Sequence, residues 1–178
     1  MAIKKDTQPK KTVTRKSLRE RLRDGVEVSC MSGTCLEVLY KCPKTFQSFN
    51  LPEFGDTDIF TMEQLEAMKN SYKSYLEKYW IIPVEVISGD VTLEEVLQHL
   101  GLDRNYKGLK INETIIDDII FKTSTKAFED KMSKVNIQFV LRVAERMKVL
   151  YEQGEFSNKY KMSIIEKTLE KDNIFEEE

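Results

Sequence analysis

The stretch TMEQLEAMKNSYKSYLEKY (61–79), running straight into WIIPVEVI (80–87), contains both periodicities from which the fold is built. Thr61 and Gln64 have capping-box spacing: a hydroxyl takes the N–H of the third helical residue, whose side chain reaches back to the cap. Met62, Leu65, Met68, Tyr72, Leu76 and Tyr79 follow at steps of three and four. That is one helical stripe, and it predicts a single helix over 61–79, roughly 28 Å long. From Trp80 the residues become apolar and β-branched, which predicts a strand. Pro83 inside it has no N–H to donate, which places that strand at a sheet edge or a bulge.

Working toward the N-terminus, VEVSCMSG (26–33), CLEVLYKC (35–42) and KTFQSFNL (44–51) alternate or run apolar, with turn signals at Ser32-Gly33 and Pro43. They predict a hairpin followed by a third strand, closed by a loop over LPEFGDTD (51–58). The aromatics Phe46, Phe49, Phe54, Phe60, Tyr72, Tyr75, Tyr79 and Trp80 are read as mostly core, with part of the set at an interface. Ahead of the strands, KSLRERLRDG (16–25) predicts a short helix capped by Ser17 and ended by Gly25, with Leu18 and Leu22 as an i,i+4 pair. Residues 1–14 have no hydrophobic periodicity and read as a flexible basic arm.

Working toward the C-terminus, Ser88-Gly89-Asp90 breaks the pattern, and everything after it is helical. Thr92 and Glu95 form another capping box, with Gly101 as the stop. Short helices are predicted from Asn112, with Ile115, Ile116, Ile119 and Ile120 inward, and from Ser124, with Phe128 and Met132 inward. The longest runs from Asn136 to Gln153, and a last one from Ser157 to Lys171. The fold class is therefore α+β: a small antiparallel β-sheet packed on one long helix, followed by an all-helical C-terminal subdomain. The predicted divisions are the arm (1–14), the α+β subdomain (15–88), the helical subdomain (89–173) and an acidic tail (174–178).

Composition narrows the function. At 178 residues with 40% hydrophobic and 33% charged residues, the chain can bury a core without metals or disulfides. It has no apolar run of the ~20 residues that a bilayer crossing needs. Cys30, Cys35 and Cys42 are an odd number of thiols with spacings unlike zinc knuckles, so no metal is expected and the thiols read as packing groups. His99, the only histidine, lies near a helix end, where the dipole explains it better than catalysis. Asp117 and Asp118 are neighbours on a helix and point about 100° apart, so they do not converge on a substrate. The glycines form no phosphate loop. No enzyme, no cofactor and no small-molecule substrate are expected. Charge distribution says more than the net −2. Residues 1–23 hold nine Lys/Arg against two Asp/Glu, a local +7 that leaves −9 for the rest. Such an arm seeks an acidic partner, either a protein surface or nucleic acid.

TRKSLRERLRDGVEV (14–28), Phe54-Gly55, EQLEAMKNSY (63–72) and Tyr79-Trp80 together resemble small virion proteins of tailed phages that infect Gram-positive hosts. Those proteins have a basic helix-forming segment, a β-rich stretch and a Phe-Gly loop. A helix with an E-L-x-x-M-[KR]-N-S core and an aromatic-Trp end follows. Leu65, Met68, Lys69, Asn70 and Ser71 supply the helix match. The resemblance spans residues 13–80, and the Trp expected before the Phe-Gly loop is replaced by Phe49 or Leu51. It implies a structural or assembly role in a virion put together in the host cytoplasm. Partners would be other virion proteins of the shell, neck or baseplate, in a multi-copy assembly. The predicted partner-binding contacts are Arg15, Leu18, Arg19 and Leu22. The alternative is a small nucleic-acid-binding regulator whose arm grips phosphates.

Overall fold

The computed structural model describes residues 16–175. Within them the elements run in the order α1 (Leu18–Arg23), β1 (Glu27–Ser32), β2 (Val38–Lys41), β3 (Ser48–Leu51), β4 (Thr57–Thr61), α2 (Met62–Tyr72), α3 (Ser74–Glu77) and β5 (Ile81–Ser88). There follow α4 (Leu93–Leu100), α5 (Ile115–Lys122), α6 (Thr125–Met132), α7 (Ile137–Glu152) and α8 (Lys159–Leu169). The molecule is α+β, with an all-helical C-terminal part.

The strands form two small antiparallel sheets, one ordered β4-β1-β5 and one made of β2 and β3. This corrects the pairing expected from sequence: the hairpin is β2-β3, and β1 pairs with β4 and β5. β4, read as loop and its flank, completes the larger sheet, with Val28 opposite Phe60. Ser32-Gly33 makes no hairpin turn because the chain there packs against the segment before β5. Gly33 donates its N–H to the Trp80 carbonyl at 3.1 Å, and a Cβ on Gly33 would meet the Tyr79 carbonyl at 2.2 Å. β5 is an edge strand, and the ladder slips between Ser29 and Cys30, where Cys30 faces Pro83. Pro83 thus has the edge position and the neighbouring irregularity that its missing N–H requires.

The stripe from Thr61 to Tyr79 is not one helix. Thr61 and Gln64 form the capping box, but α2 ends at Tyr72, and a four-residue α3 carries the chain to a left-handed Tyr79 at φ 57°. Ser71 and Ser74 flank the junction at Lys73 and are weaker helix formers than alanine or leucine. Tyr79 is fully buried, its ring 5.3 Å from Phe139 and 5.2 Å from Tyr106, and its hydroxyl donates to the Asn105 carbonyl at 2.7 Å. A non-glycine residue in the left-handed region costs roughly 1–2 kcal/mol, which these contacts offset.

The remaining helices start and stop close to their sequence signals. Thr92 and Glu95 form a capping box, Gly101 is left-handed at φ 70°, and Ser124 and Asn136 cap α6 and α7. α5 begins at Ile115, three residues after Asn112, whose carboxamide accepts the Thr114 N–H instead. Strands give way to helices near Ser88, yet the apolar core runs across that point, because Tyr79 packs on both Tyr106 and Phe139. At the C-terminus, Ile174 packs on the core and Phe175 is buried, so the tail read as acidic begins in the core. Residues 176–178 lie outside the described residues.

Candidate protein-interaction surface

The contacts expected on the N-terminal segment divide three ways. Arg15 lies outside the described residues. Arg19 is exposed, and Leu18 is half-buried against the core. Leu22 is 2% exposed and belongs to the chain's own core, which corrects its expected role as a contact for a partner. α1 is locked where it lies. Ser17 and Glu20 complete a capping box, Lys16 pairs with Asp24, and Arg21 binds the Asp90 carbonyl and the Glu95 carboxylate, the latter at 2.6 Å. Two of the basic charges counted toward an open arm are thus paired within the chain. The basic helix is part of the body and not an extension of the arm.

A different surface has the features of an interface. The segment from Thr34 to Leu39, the aromatic pair Tyr75 and Trp80, and Arg142 and Glu145 on α7 surround a groove of about 300 Å³. Its polar floor is organised from α7. Glu145 accepts the Thr34 hydroxyl at 2.8 Å and the Cys35 N–H at 3.1 Å through one oxygen, and pairs with Arg142 at 2.5 Å through the other. The next residue of α7, Arg146, makes two 3.0 Å bonds to Asp117 and lies 4.5 Å over the ring of Phe54. α7 therefore holds the 33–37 loop and the Phe54 loop in fixed places. Burial, reinforced by the Glu145 charge, pushes the half-buried Cys35 thiol up to about 11, so it stays protonated and unreactive at neutral pH.

The rim is apolar and open. Leu36 is 69% exposed and Leu39 60%, while the next residues along β2, Val38 and Tyr40, point into the core. Tyr72, Tyr75 and Trp80 follow one another edge-to-face, at 6.5 and 5.5 Å, and Lys78 lies 5.4 Å over the indole. The Tyr/Trp strip and the half-buried Arg142 are residue types enriched at interaction hot spots, and the leucines beside them add exposed apolar surface. Along α2 and α3, Tyr72 and Tyr75 lie toward β2 while Leu76 and Tyr79 are buried.

The three cysteines are free thiols, with Cys30 and Cys42 buried. His99 makes a 2.7 Å contact with Glu66, which ties α4 to α2. Among the described residues no group of three His, Cys, Asp or Glu side chains is placed to hold a metal ion, and no helix is long and apolar enough to cross a membrane. The groove was hidden from the sequence because its walls come from residues 34–39, 75–80 and 142–145. The local signals were Leu39, apolar yet out of phase with the inward Val38 and Tyr40, and the aromatic set read as partly interface. No family model, curated protein or solved structure matches the chain.

Proposed function

We propose that this chain is a structural or assembly component of a tailed-phage particle, which works by binding neighbouring particle proteins and makes or breaks no covalent bond. The observation that carries the binding role is the open groove with Leu36 and Leu39 on its rim and Tyr75, Trp80 and Arg142 lining it. Covering two such leucines stabilises a contact by about 25 cal/mol for each Å² of apolar surface withdrawn from water. The aromatic strip adds area at little entropic cost, because each ring has only two side-chain torsions. The resemblance of residues 13–80 to virion proteins supplies the setting. The alternative of a nucleic-acid grip loses support from the pairing of Lys16 and Arg21 within the chain.

Quantitative mass spectrometry of purified particles, referenced to the major shell protein, tests the reading. A fixed ratio across preparations is expected, and absence from particles refutes it. A Leu36→Asp/Leu39→Asp double variant, folded because both side chains are already exposed, should fall out of the particle at least tenfold.

A further inference from the structure

The groove runs along a sheet edge, and the hydrogen-bond parity of that edge specifies what fits it. Past the Lys41–Ser48 pair the Cys42 N–H donates to the Gln47 carbonyl at 2.9 Å. In an antiparallel ladder such residues alternate with ones whose main-chain groups point away. Cys42, Tyr40 and Val38 therefore face β3, whereas Leu39 and Lys41 face outward. An independent contact agrees: the Leu39 carbonyl is met by the Tyr75 hydroxyl, 2.7 Å away, and not by a strand. The two-stranded sheet ends at β2.

Free edges are pairing hazards that proteins usually blunt. Both edges of the larger sheet are blunted. β5 carries Pro83, and on β4 the Asp58 carboxylate takes the Ile59 N–H at 2.7 Å. β3 packs on β4. β2 has neither proline nor irregular register, and beside its outward groups lies the groove with its exposed leucines. Among the described residues the group bonded to this outer edge is the Tyr75 hydroxyl, whose half-buried ring packs on Tyr40, Tyr72 and Trp80 and has to shift for a strand to pair there.

We propose that the outer edge of β2 takes an extended segment of a neighbouring protein as an added strand. Main-chain groups of that segment pair with Leu39 and Lys41, its N–H replaces the Tyr75 hydroxyl on the Leu39 carbonyl, and one large apolar side chain lies among Leu36, Leu39 and Trp80. Recognition of this kind draws affinity from the main chain and selectivity from the side-chain pocket. The proposal rests on the assembly reading for the source of the segment.

The probe is acetyl-TVTLTVT-amide, titrated into the isotope-labelled full chain to about 1 mM and followed by amide chemical shifts. Its control is the same peptide N-methylated at alternate residues, which keeps the side chains and deletes the donors. The expected result is shifts centred on residues 36–41, 75 and 80 with the plain peptide alone. Leu39→Pro, which deletes an outward N–H without touching the ladder, should weaken binding at least tenfold. Equal shifts with both peptides, or shifts elsewhere, or none, overturn strand addition. So does a dimer of the free chain that Leu39→Pro abolishes, since the occupant is then a second copy. Incorporation into particles reads the assembly role separately. Peptide binding by a chain absent from particles refutes that role and leaves the edge site standing, whereas incorporation without peptide binding does the reverse.

Discussion

Leu22→Ala tests whether the basic helix α1 belongs to the folded body or to an arm awaiting a partner. Leu22 is 2% exposed and sits in the core, on a helix packed against α2. Removing three buried carbons forfeits about 2.4 kcal/mol at roughly 0.8 kcal/mol per methylene. The cavity left behind brings the loss to about 3 kcal/mol, within the range of about 2–5 for buried leucines. At about 2–4 °C per kcal/mol for a chain of this size, the midpoint should fall by roughly 6–12 °C. Far-UV circular dichroism of the full chain on heating reads this directly, with Arg19→Ala as a control expected to stay within about 0.5 kcal/mol.

A six-residue terminal helix can also detach locally before the rest unfolds, which limits how much of the loss appears in the global midpoint. Limited trypsin digestion covers that route, since detachment opens Arg19, Arg21 and Arg23 to cleavage. If Leu22→Ala left both the midpoint and the cleavage rate at these arginines unchanged, α1 would not be docked on its own chain. The consequence for assembly is concrete. Removing residues 1–15 should leave the body folded, whereas removing residues 1–23 takes away Leu22 and the Arg21–Glu95 pair and should destabilise it.

Three further outcomes follow from buried polar groups. The Tyr106 hydroxyl is buried with no partner among the described residues, so Tyr106→Phe should stabilise the protein by about 1 kcal/mol in urea titrations; a loss of that size would reveal a partner. Lys161 is 4% exposed and donates to the Ile120 and Thr123 carbonyls at 2.6 and 2.7 Å, closing the end of α5. Lys161→Met strands both carbonyls and should cost about 2–4 kcal/mol by the same assay. Burial weakens the acidity of Cys30, Cys35, Tyr79 and Tyr106 by pushing their pKa values above the ordinary ones, Cys35 to about 11. The unfolded chain gives up those protons from about pH 8.5 for thiols and pH 10 for tyrosines, while the folded chain keeps them. Their stabilising effect is thus intact at neutral pH and lost as pH climbs beyond those values. Lys161, lowered by burial, opposes the trend, so urea midpoints between pH 7 and 11 should fall more steeply in Lys161→Met.

Local signals were legible where one residue's side chain satisfies a backbone group a few positions away. The Ser17 cap and the capping boxes at Thr61–Gln64 and Thr92–Glu95 all form, and Gly101 stops α4. α7 runs from its Asn136 cap to Gln153 as its apolar face predicts. Pairing was not legible, because Val28 chooses between Phe60 and a nearer strand on the strength of contacts dozens of residues apart. Gly33 shows how a correct observation led to a wrong element. Glycine is required there, but for its approach to the Tyr79 carbonyl and not for a turn.

The segment from Thr61 to Trp80 divides between core and surface. Tyr79 is anchored between Tyr106 and Phe139, while Tyr72, which the stripe places on the buried face, is 50% exposed. The Tyr75 hydroxyl donates to the Leu39 carbonyl, and Trp80 and Leu36 line the same groove. Residues 61–80 serve the core through Leu65, Met68, Leu76 and Tyr79, and the surface through Tyr72, Tyr75 and Trp80. The helical stripe assigns Tyr72 to the core because it falls in step with Leu65, Met68, Leu76 and Tyr79. Which of the aromatics read as partly interface face outward is decided by packing around Tyr40 and Trp80 that no local pattern encodes.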